Sequence, residues 1–325
     1  MTAPPLVSVV IPAKNEAADI VDALGGVAAQ DIDLATVEVV VVDGDSEDRT
    51  NAVAAGALES MGLARWAVVP NPGGNTPSNL NCGLDWAAGT YVVRVDARSL
   101  LPSDYIRRTV AILQERPEVS VVGGSQVAVP RDASAKAAAI ATALNNPLAM
   151  GGSRYRRDGS ASGRTDTVYL GVFRRAQLID AGGWDEHFST NQDFDLNQRM
   201  AAFGHVWFEA DLPVAYLPRG TIGALALQYH RFGRWKAHYW RRTQQSPNRR
   251  QQLLLALPPA AGAVVVAMTL LLGARRSLAL TGTGVMAAAV TGKVNHLWAW
   301  AINVVVAIAW WSGVVRGLAR DDVAP

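Results

Sequence analysis

The stretch that decides the fold reads Thr90-Tyr91-Val92-Val93-Arg94-Val95-Asp96-Ala97-Arg98. Its β-forming residues predict a buried strand of a parallel sheet, and the apolar run ends at the carboxylate of Asp96. Ligands of open α/β sheets bind at the carboxyl ends of the strands, so Asp96 is placed to face a ligand. A hard carboxylate oxygen in that position suits Mg²⁺ or Mn²⁺. The alternative is that Asp96 only caps a turn.

Other apolar segments alternate with helical segments along the first half of the chain. Helices are predicted between strands that cover 6–11, 37–42, 66–69 and 119–122, the last ended by Gly123-Gly124. This alternation predicts right-handed βαβ units and a mainly parallel sheet, which places the fold in the α/β class. No G-x-G-x-x-G follows the first strand and no Walker A motif occurs, which argues against a dehydrogenase and a P-loop protein.

Acidic side chains follow several of these predicted strands. They are Glu16 after the first strand, Asp43 and Asp45 after the second, and Asp96. Carboxylates at strand ends suit hydrogen bonds to a base or ribose, and metal binding, better than direct contact with phosphate.

A further acid lies at the start of a predicted helix. The sequence Thr190-Asn191-Gln192-Asp193 has the spacing of a capping box and precedes a helix predicted from Phe194 to Phe203. In one interpretation Asp193 only closes that box. In the other it is a general base at a helix N-terminus, where the helix dipole favours the carboxylate form.

Composition divides the chain into a soluble part and an apolar part. Half of the residues are hydrophobic and 18% are charged, and the apolar excess lies in the last quarter. The net charge of +2 argues against a nucleic-acid binder. Cys82 is the only cysteine, which excludes an intrachain disulfide and fits a reducing compartment. The N-terminus has no basic segment followed by an apolar one, so no secretory signal is predicted.

Two basic segments have two interpretations each. Gly151 to Ser160 is either a solvated loop or a loop that folds over phosphate. The segment that begins at Gln228 contains arginines beside aromatic residues. Such a segment suits phosphate binding at a membrane interface, and it also suits the positive flank of a membrane helix.

The C-terminal part predicts two or three membrane segments, at Leu253–Gly273, Leu278–Val290 and Leu297–Val315, the second of which is short. The basic flank before the first segment predicts a cytoplasmic catalytic part at the inner membrane. We therefore expect a catalytic domain over 1–227, an interfacial segment over 228–252 and membrane-associated helices over 253–325.

Four blocks together resemble glycosyltransferase family 2, most closely its membrane-associated succinoglycan-biosynthesis-type bacterial members. The blocks are Ser8–Glu16, Val40–Ser46, Val95–Arg98 and Asn191–Leu196. The resemblance implies a GT-A fold and inverting transfer from a nucleotide-activated sugar. It implies that Pro12, Glu16 and Asp43 line the nucleoside site and that Asp96 is the metal-associated acid of the D-x-D position. We add Asp45 and Arg98 to these as expected donor-binding residues.

The resemblance also assigns the chemistry of transfer. Asp193 matches the catalytic Asp of the family's Glu-Asp pair. A further group of residues loosely resembles the Q-x-x-R-W region of processive members, which lies near the donor diphosphate and the acceptor. This group comprises Gln228, Arg231, Arg234 and Trp235. An Mn²⁺ or Mg²⁺ cofactor is implied.

Three positions depart from the family pattern. Arg98 stands third in the D-x-D block and cannot ligate a metal, so either Asp96 and diphosphate oxygens hold the metal or Arg98 supplies positive charge itself. Gln192 replaces the Glu of the Glu-Asp pair. Phe232-Gly233 interrupts the Q-x-x-R-W spacing, which argues against processive synthesis.

The expected function is sugar transfer from a nucleotide sugar, with UDP as the expected nucleotide, to a membrane- or lipid-linked acceptor such as a polyprenyl-diphosphate sugar. The product would be a cell-surface polysaccharide or glycolipid. Two alternatives stay open: a membrane-anchored nucleotidyltransferase, which would release diphosphate, and a non-catalytic nucleotide-binding membrane scaffold.

Overall fold

The computed structural model describes residues 5–146, 155, 160–249, 251–260 and 294–319. These residues fall into two compact units. One lies within Met1–Val127 and Ser153–Leu217, and the other within Ala128–Gly152 and Pro218–Ala324.

The first unit is built on a nine-stranded sheet. The strands are β1 (Val7–Ala13), β2 (Val37–Asp43), β3 (Arg65–Pro70), β4 (Tyr91–Arg94), β5 (Ser99–Leu100), β6 (Val119–Ala128), β7 (Gly163–Arg164), β8 (Tyr169–Arg174) and β9 (His205–Tyr216). Their order is β3-β2-β1-β4-β8-β6-β9-β5, and β7 pairs with β9. The four strands from β3 to β4 are parallel, whereas β8 is antiparallel to both β4 and β6. The sheet is therefore mixed, and its parallel half comes from the first part of the chain.

The helices in chain order are α1 (Ile20–Ala28), α2 (Thr50–Glu59), α3 (Thr76–Trp86), α4 (Tyr105–Glu115), α5 (Ala135–Leu144), α6 (Arg175–Asp180), α7 (Gln192–Met200), α8 (Ile222–Thr243) and α9 (Val294–Ala319). A 3₁₀ turn covers Leu34–Thr36, and residues 251–260 are also helical. Helices α5, α8 and α9 belong to the second unit.

Helices cover the central strands on both faces of the sheet, which explains their continuous apolar sequences. On one face Val9, Val39 and Val93 form a core with residues of α1, α2 and α4. On the other face Val10, Val40 and Val92 form a core with residues of α3 and α7. Side chains alternate along a strand, so Arg94 projects on the same face as Val92, the face that α7 covers.

The prediction that Gly123-Gly124 ends a strand is wrong, because β6 continues to Ala128. A Cβ at Gly124 would clash with the carbonyl oxygen of Leu212 on β9, and a Cβ at Gly123 would clash with that of Tyr169. The two glycines thus permit close approach of neighbouring strands, at a point where the pairing with β8 also shifts register.

The starts of two helices near the site differ in their capping. The side chain of Asn75 caps α3 by accepting a hydrogen bond from the Ser78 amide. Helix α7 begins after Asn191, which has φ +69° and makes no side-chain capping bond, so the predicted capping box is absent there.

The second unit contains a long helix pair. Cβ atoms at Gly233 of α8 and Gly313 of α9 would clash with backbone carbonyls of the opposite helix, so these glycines allow close packing. The predicted segment 297–315 lies within α9. Over Trp298–Ala319 this helix is long and apolar enough to cross a membrane, the one such helix in the described residues. The predicted segment 278–290 and the part of 253–273 beyond residue 260 lie outside the described residues.

Candidate active site

Two loops at the carboxyl ends of β1 and β2 are joined by hydrogen bonds. The Asn15 amide donates to the Ser46 hydroxyl at 2.9 Å, and the Glu47 amide donates to Asn15 Oδ1 at 2.8 Å. The Glu16 amide donates to Thr50 Oγ1 at 2.8 Å. Half-buried Pro12 lies in β1 just before this junction. The loops that carry the predicted nucleoside-binding residues therefore form one connected edge.

Asp43 and Asp45 differ in their environments at this edge. Asp43 is 7% exposed and accepts hydrogen bonds from the hydroxyl and the amide of Ser46. Asp45 is exposed and has φ +68°. Nearby Asp48 accepts from the Ala17 amide at 3.2 Å, and its hydrogen bond from the Thr50 hydroxyl is the main cause that lowers the Asp48 pKa.

Arg98, in the third position of the D-x-D block, is held by acids of the loop after β1. Its Nε lies 2.8 Å from Glu16 Oε2 and 3.3 Å from Asp19 Oδ2. These three side chains are 17% exposed or less. Arg98 thus connects the chain after β4 to the loop after β1, and the Glu16 carboxylate already has a partner.

Asp96 and Asp193 are joined by Arg94. The Arg94 side chain is 6% exposed, and its Nε and Nη2 lie 2.9 and 2.8 Å from Asp96 Oδ1. Its Nη1 forms an ion pair with Asp193 Oδ1. The two acids keep 32% and 43% of their side-chain surface exposed. Within the described residues, the second oxygen of each carboxylate pairs with no other side chain.

Arg94 was not among the residues assigned to the site from sequence, although a signal for it existed. A charged residue inside an apolar strand needs a partner, and Arg94 precedes Asp96 by two positions on the same face of the sheet. Asp193 is remote in sequence and joins this pair only through the packing of α7 on the sheet.

Tyr169 is a second residue that sequence reasoning missed. Its hydroxyl shares a 2.5 Å hydrogen bond with Ser99 Oγ. Burial, and then the charge of Asp96, raise the Tyr169 pKa well above its usual value, so the phenol stays protonated. Its ring stacks with Tyr155 and meets Tyr216 edge-on. Tyr169 therefore forms a neutral aromatic wall near Asp96.

The acids present can hold a divalent metal only together with the donor. The described part of the chain has no group of three His, Cys, Asp or Glu residues that could hold a metal ion. Arg94 occupies Oδ1 of Asp96, which leaves one carboxylate oxygen. Mg²⁺ commonly binds through one or two carboxylates and substrate phosphates. The site therefore fits a metal that arrives with a diphosphate.

The predicted acceptor-side residues lie on α8 in the second unit. Arg231 is exposed and Trp235 is buried, whereas Gln228 and Arg234 are intermediate. Most of the predicted 151–160 loop lies outside the described residues.

A mixed sheet with acids at its strand ends, next to a helix that contributes Asp193, is the arrangement expected of a GT-A glycosyltransferase. Comparison with known proteins agrees with this class. The chain belongs to glycosyl transferase family 2. The profile of "Glycosyl transferase family 2" matches residues 8–165. The chain is also 31% identical over 243 residues to the succinoglycan biosynthesis protein ExoA of Rhizobium meliloti (strain 1021), covering 74% of this chain and 71% of that protein.

A more distant relative comes from Methanococcus voltae and is named dolichyl N-acetyl-alpha-D-glucosaminyl phosphate 3-beta-D-2,3-diacetamido-2,3-dideoxy-beta-D-glucuronosyltransferase. The two sequences are 23% identical over 234 residues, which cover 70% of this chain and 71% of the relative. Family membership makes the chain a glycosyltransferase that uses nucleotide-sugar donors, which argues against the nucleotidyltransferase alternative.

Solved structures share the fold. The mannosyltransferase PcManGT from Pyrobaculum calidifontis, in complex with GDP-Man and Mn²⁺, superposes with a TM-score of 0.66 at 24% identity, over 98% of this chain and 88% of that one. S. aureus TarS 1–349 in complex with UDP-GlcNAc gives a TM-score of 0.52 at 18% identity, over 72% and 66%. These similarities confirm the GT-A fold.

Proposed function

We propose that the protein is an inverting glycosyltransferase that moves a sugar from a UDP-sugar to a lipid-linked acceptor in cell-surface polysaccharide or glycolipid synthesis. The observation that carries the proposal is the placement of Asp96 and Asp193 around one guanidinium, each with a second carboxylate oxygen left for substrates. One acid then serves the donor and the other serves the acceptor within a single site.

The proposed reaction is a single displacement at the anomeric carbon. The acceptor hydroxyl attacks this carbon, the bond to the leaving nucleoside diphosphate breaks, and Asp193 takes the hydroxyl proton. Because attack comes from the side opposite the leaving group, the anomeric configuration inverts. A positioned general base typically contributes about 10²–10⁴-fold to the rate.

The donor side is assigned to the edge formed by the loops after β1 and β2. Pro12, Glu16, Asp43 and Asp45 line the nucleoside there, and Arg98 holds Glu16 in place. Asp96, together with diphosphate oxygens, would hold Mn²⁺ or Mg²⁺, which supplies positive charge for the leaving group. The Mn²⁺ in the complex of PcManGT supports this choice of cofactor.

The acceptor assignment rests on the second unit. Helix α9 is long and apolar enough to cross a bilayer, and the last turn of α8 contains Arg241 and Arg242. We assign Gln228, Arg231, Arg234 and Trp235 to the acceptor and diphosphate region. In this proposal 1–227 is catalytic, 228–252 lies at the inner membrane surface on the cytoplasmic side, and 253–325 is membrane-associated. The Methanococcus relative supports a lipid-linked acceptor, because its name contains a dolichyl-linked sugar phosphate.

The test is a donor screen with the full chain in nanodiscs. Nucleotide sugars are offered with Mn²⁺ or Mg²⁺, with and without a polyprenyl-diphosphate sugar, while thermal stability and nucleoside diphosphate release are recorded. We expect one UDP-sugar to stabilise the protein and to be consumed fastest with the lipid-linked acceptor. Equal turnover with a soluble sugar would reject the lipid-linked acceptor. Binding without turnover, even with membrane lipid extract, would favour the scaffold alternative.

A further inference from the structure

Arg94 is a buried cation on the sheet face that α3 and α7 cover. The side chain projects from the same face as Val92, and that face packs against Leu196 of α7. Burial of an unpaired guanidinium is costly, so its position requires acidic partners. The partners that the structure supplies are Asp96 and Asp193, the two acids of the proposed site.

The contacts of Arg94 use the shape of the guanidinium group. Nε and Nη2 face one oxygen of Asp96, while Nη1 faces one oxygen of Asp193. A planar guanidinium presents donors in several fixed directions, whereas a lysine ammonium is a compact point charge on a flexible stem. The forked group therefore reaches two carboxylates at once, with hydrogen bonding to Asp96 and an ion-pair contact to Asp193.

These contacts determine which carboxylate oxygens are left for substrates. Arg94 occupies Oδ1 of both acids, and the more exposed of the two, Asp193, is 43% exposed. If the guanidinium were absent, both carboxylates could rotate freely toward solvent. A catalytic group needs a defined direction, and a displacement of about 1 Å can reduce the rate about 10²-fold.

We propose that Arg94 is a positioning residue that couples the two acids. It holds Oδ1 of Asp193, which turns Oδ2 toward the acceptor hydroxyl, and it holds Oδ1 of Asp96, which turns Oδ2 toward the donor diphosphate. The inference rests on the proposed function, in which Asp193 is the base. It adds that one guanidinium sets the geometry between the acceptor side and the donor side.

The test compares Arg94→Met and Arg94→Lys with the wild-type chain in nanodiscs. Methionine fills similar apolar space without charge, and lysine keeps the charge without the fork. We expect both variants to lower kcat about 10²-fold, as for a misplaced catalytic group, and to weaken the Mn²⁺-dependent part of nucleoside diphosphate binding in calorimetry, because Asp96 loses its fixed direction as well. The variants should still unfold cooperatively, because the acids left behind reach solvent.

A matched control is Arg174, an arginine on β8 whose guanidinium donates to backbone carbonyls, including that of Val119, rather than to acids. Arg174→Met should lower the unfolding temperature and leave kcat per folded molecule near the wild-type value. An equal loss of kcat in Arg174→Met and Arg94→Met would show that general destabilisation is the cause, and would overturn the proposal.

Further results would also reject the proposed positioning role of Arg94. Wild-type kcat in Arg94→Met would overturn the positioning role. Full activity in Arg94→Lys would show that charge alone suffices, which also rejects the forked coupling. A rise in donor KM with unchanged kcat would make Arg94 a donor-binding group instead. Asp193→Asn in the same assay distinguishes failure of the Arg94 inference from failure of the proposed function. Wild-type turnover in Asp193→Asn would show that Asp193 is not the base and would reject the proposed function itself.

Discussion

Asp193, in the first turn of α7, forms an ion pair with Arg94, the last residue of β4. The pairing turns the Asp193 carboxylate toward the sheet rather than back onto its own helix. Asn191, the residue before α7, makes no side-chain capping bond. The capping-box interpretation of Asp193 is therefore wrong, because the side chain is committed to a contact with another element.

Asp193→Asn should fold and bind donor but lose about 10²–10⁴-fold in kcat, because the amide cannot accept the acceptor proton. Steady-state release of nucleoside diphosphate measures the loss. The control is Asp195→Asn on the same helix. Asp195 pairs with Arg199 at 2.8 Å, so this change should reduce stability more than kcat. If Asp193→Asn kept wild-type turnover, Asp193 would not be the base.

Asp96→Asn should remove the metal dependence of donor binding, because the amide is a weaker metal ligand and carries no charge. Calorimetric titration of the nucleoside diphosphate with and without Mn²⁺ measures this dependence. Asp85→Asn, at an exposed position on α3, serves as the control and should retain it. Unchanged metal dependence in Asp96→Asn would assign the positive charge of the site to arginines instead.

Arg98→Gln should weaken donor binding by roughly tenfold or more, because the loop after β1 loses charge-assisted contacts at Glu16 and Asp19. The effect should appear in the donor affinity and only weakly in kcat at saturating donor. The opposite result, a large fall in kcat with unchanged affinity, would indicate that Arg98 acts on the leaving diphosphate.

His230 should make the stability of the second unit depend on pH. Burial, followed by the charges of Arg234 and Arg316, lowers the His230 pKa below its usual value of 6.5. Protons therefore bind the unfolded chain more readily than the folded one. Stability is complete above about pH 6.5 and falls as the pH drops from there toward the folded-state pKa.

The measurement is thermal unfolding in nanodiscs between about pH 7.5 and pH 5.5, a range over which histidines commonly titrate. His230→Asn should reduce the acid sensitivity, and His187→Asn, at a position with a side chain 71% exposed, should leave it as in the wild type. Identical acid sensitivity in His230→Asn and the wild-type chain would contradict the assignment.

The local sequence was sufficient to predict several strands of the sheet. The apolar runs that became β1, β2 and β4 predicted buried parallel strands, because β-branched residues suit a surface covered on both sides. These predicted strands also implied that the acids lie together, because the carboxyl ends of parallel strands meet at one edge of the sheet. The apolar segment 297–315 was correctly predicted as helical for the same kind of reason, a continuous apolar run of helical length.

Tertiary structure alone decided the contacts between remote segments. The glycines at 123–124 lie inside β6, where carbonyls of the neighbouring strands leave no room for side chains. The local sequence does not show which carbonyls will lie nearby, so it could not predict this role. Arg98 pairs with the loop after β1, and Arg94 joins Asp96 to Asp193. By itself, then, the sequence determined the parallel strands, the acids at their ends and the apolar C-terminal helix. The partners of the arginines depended on packing, because a charge in a chain does not specify which distant acid the fold will bring to it.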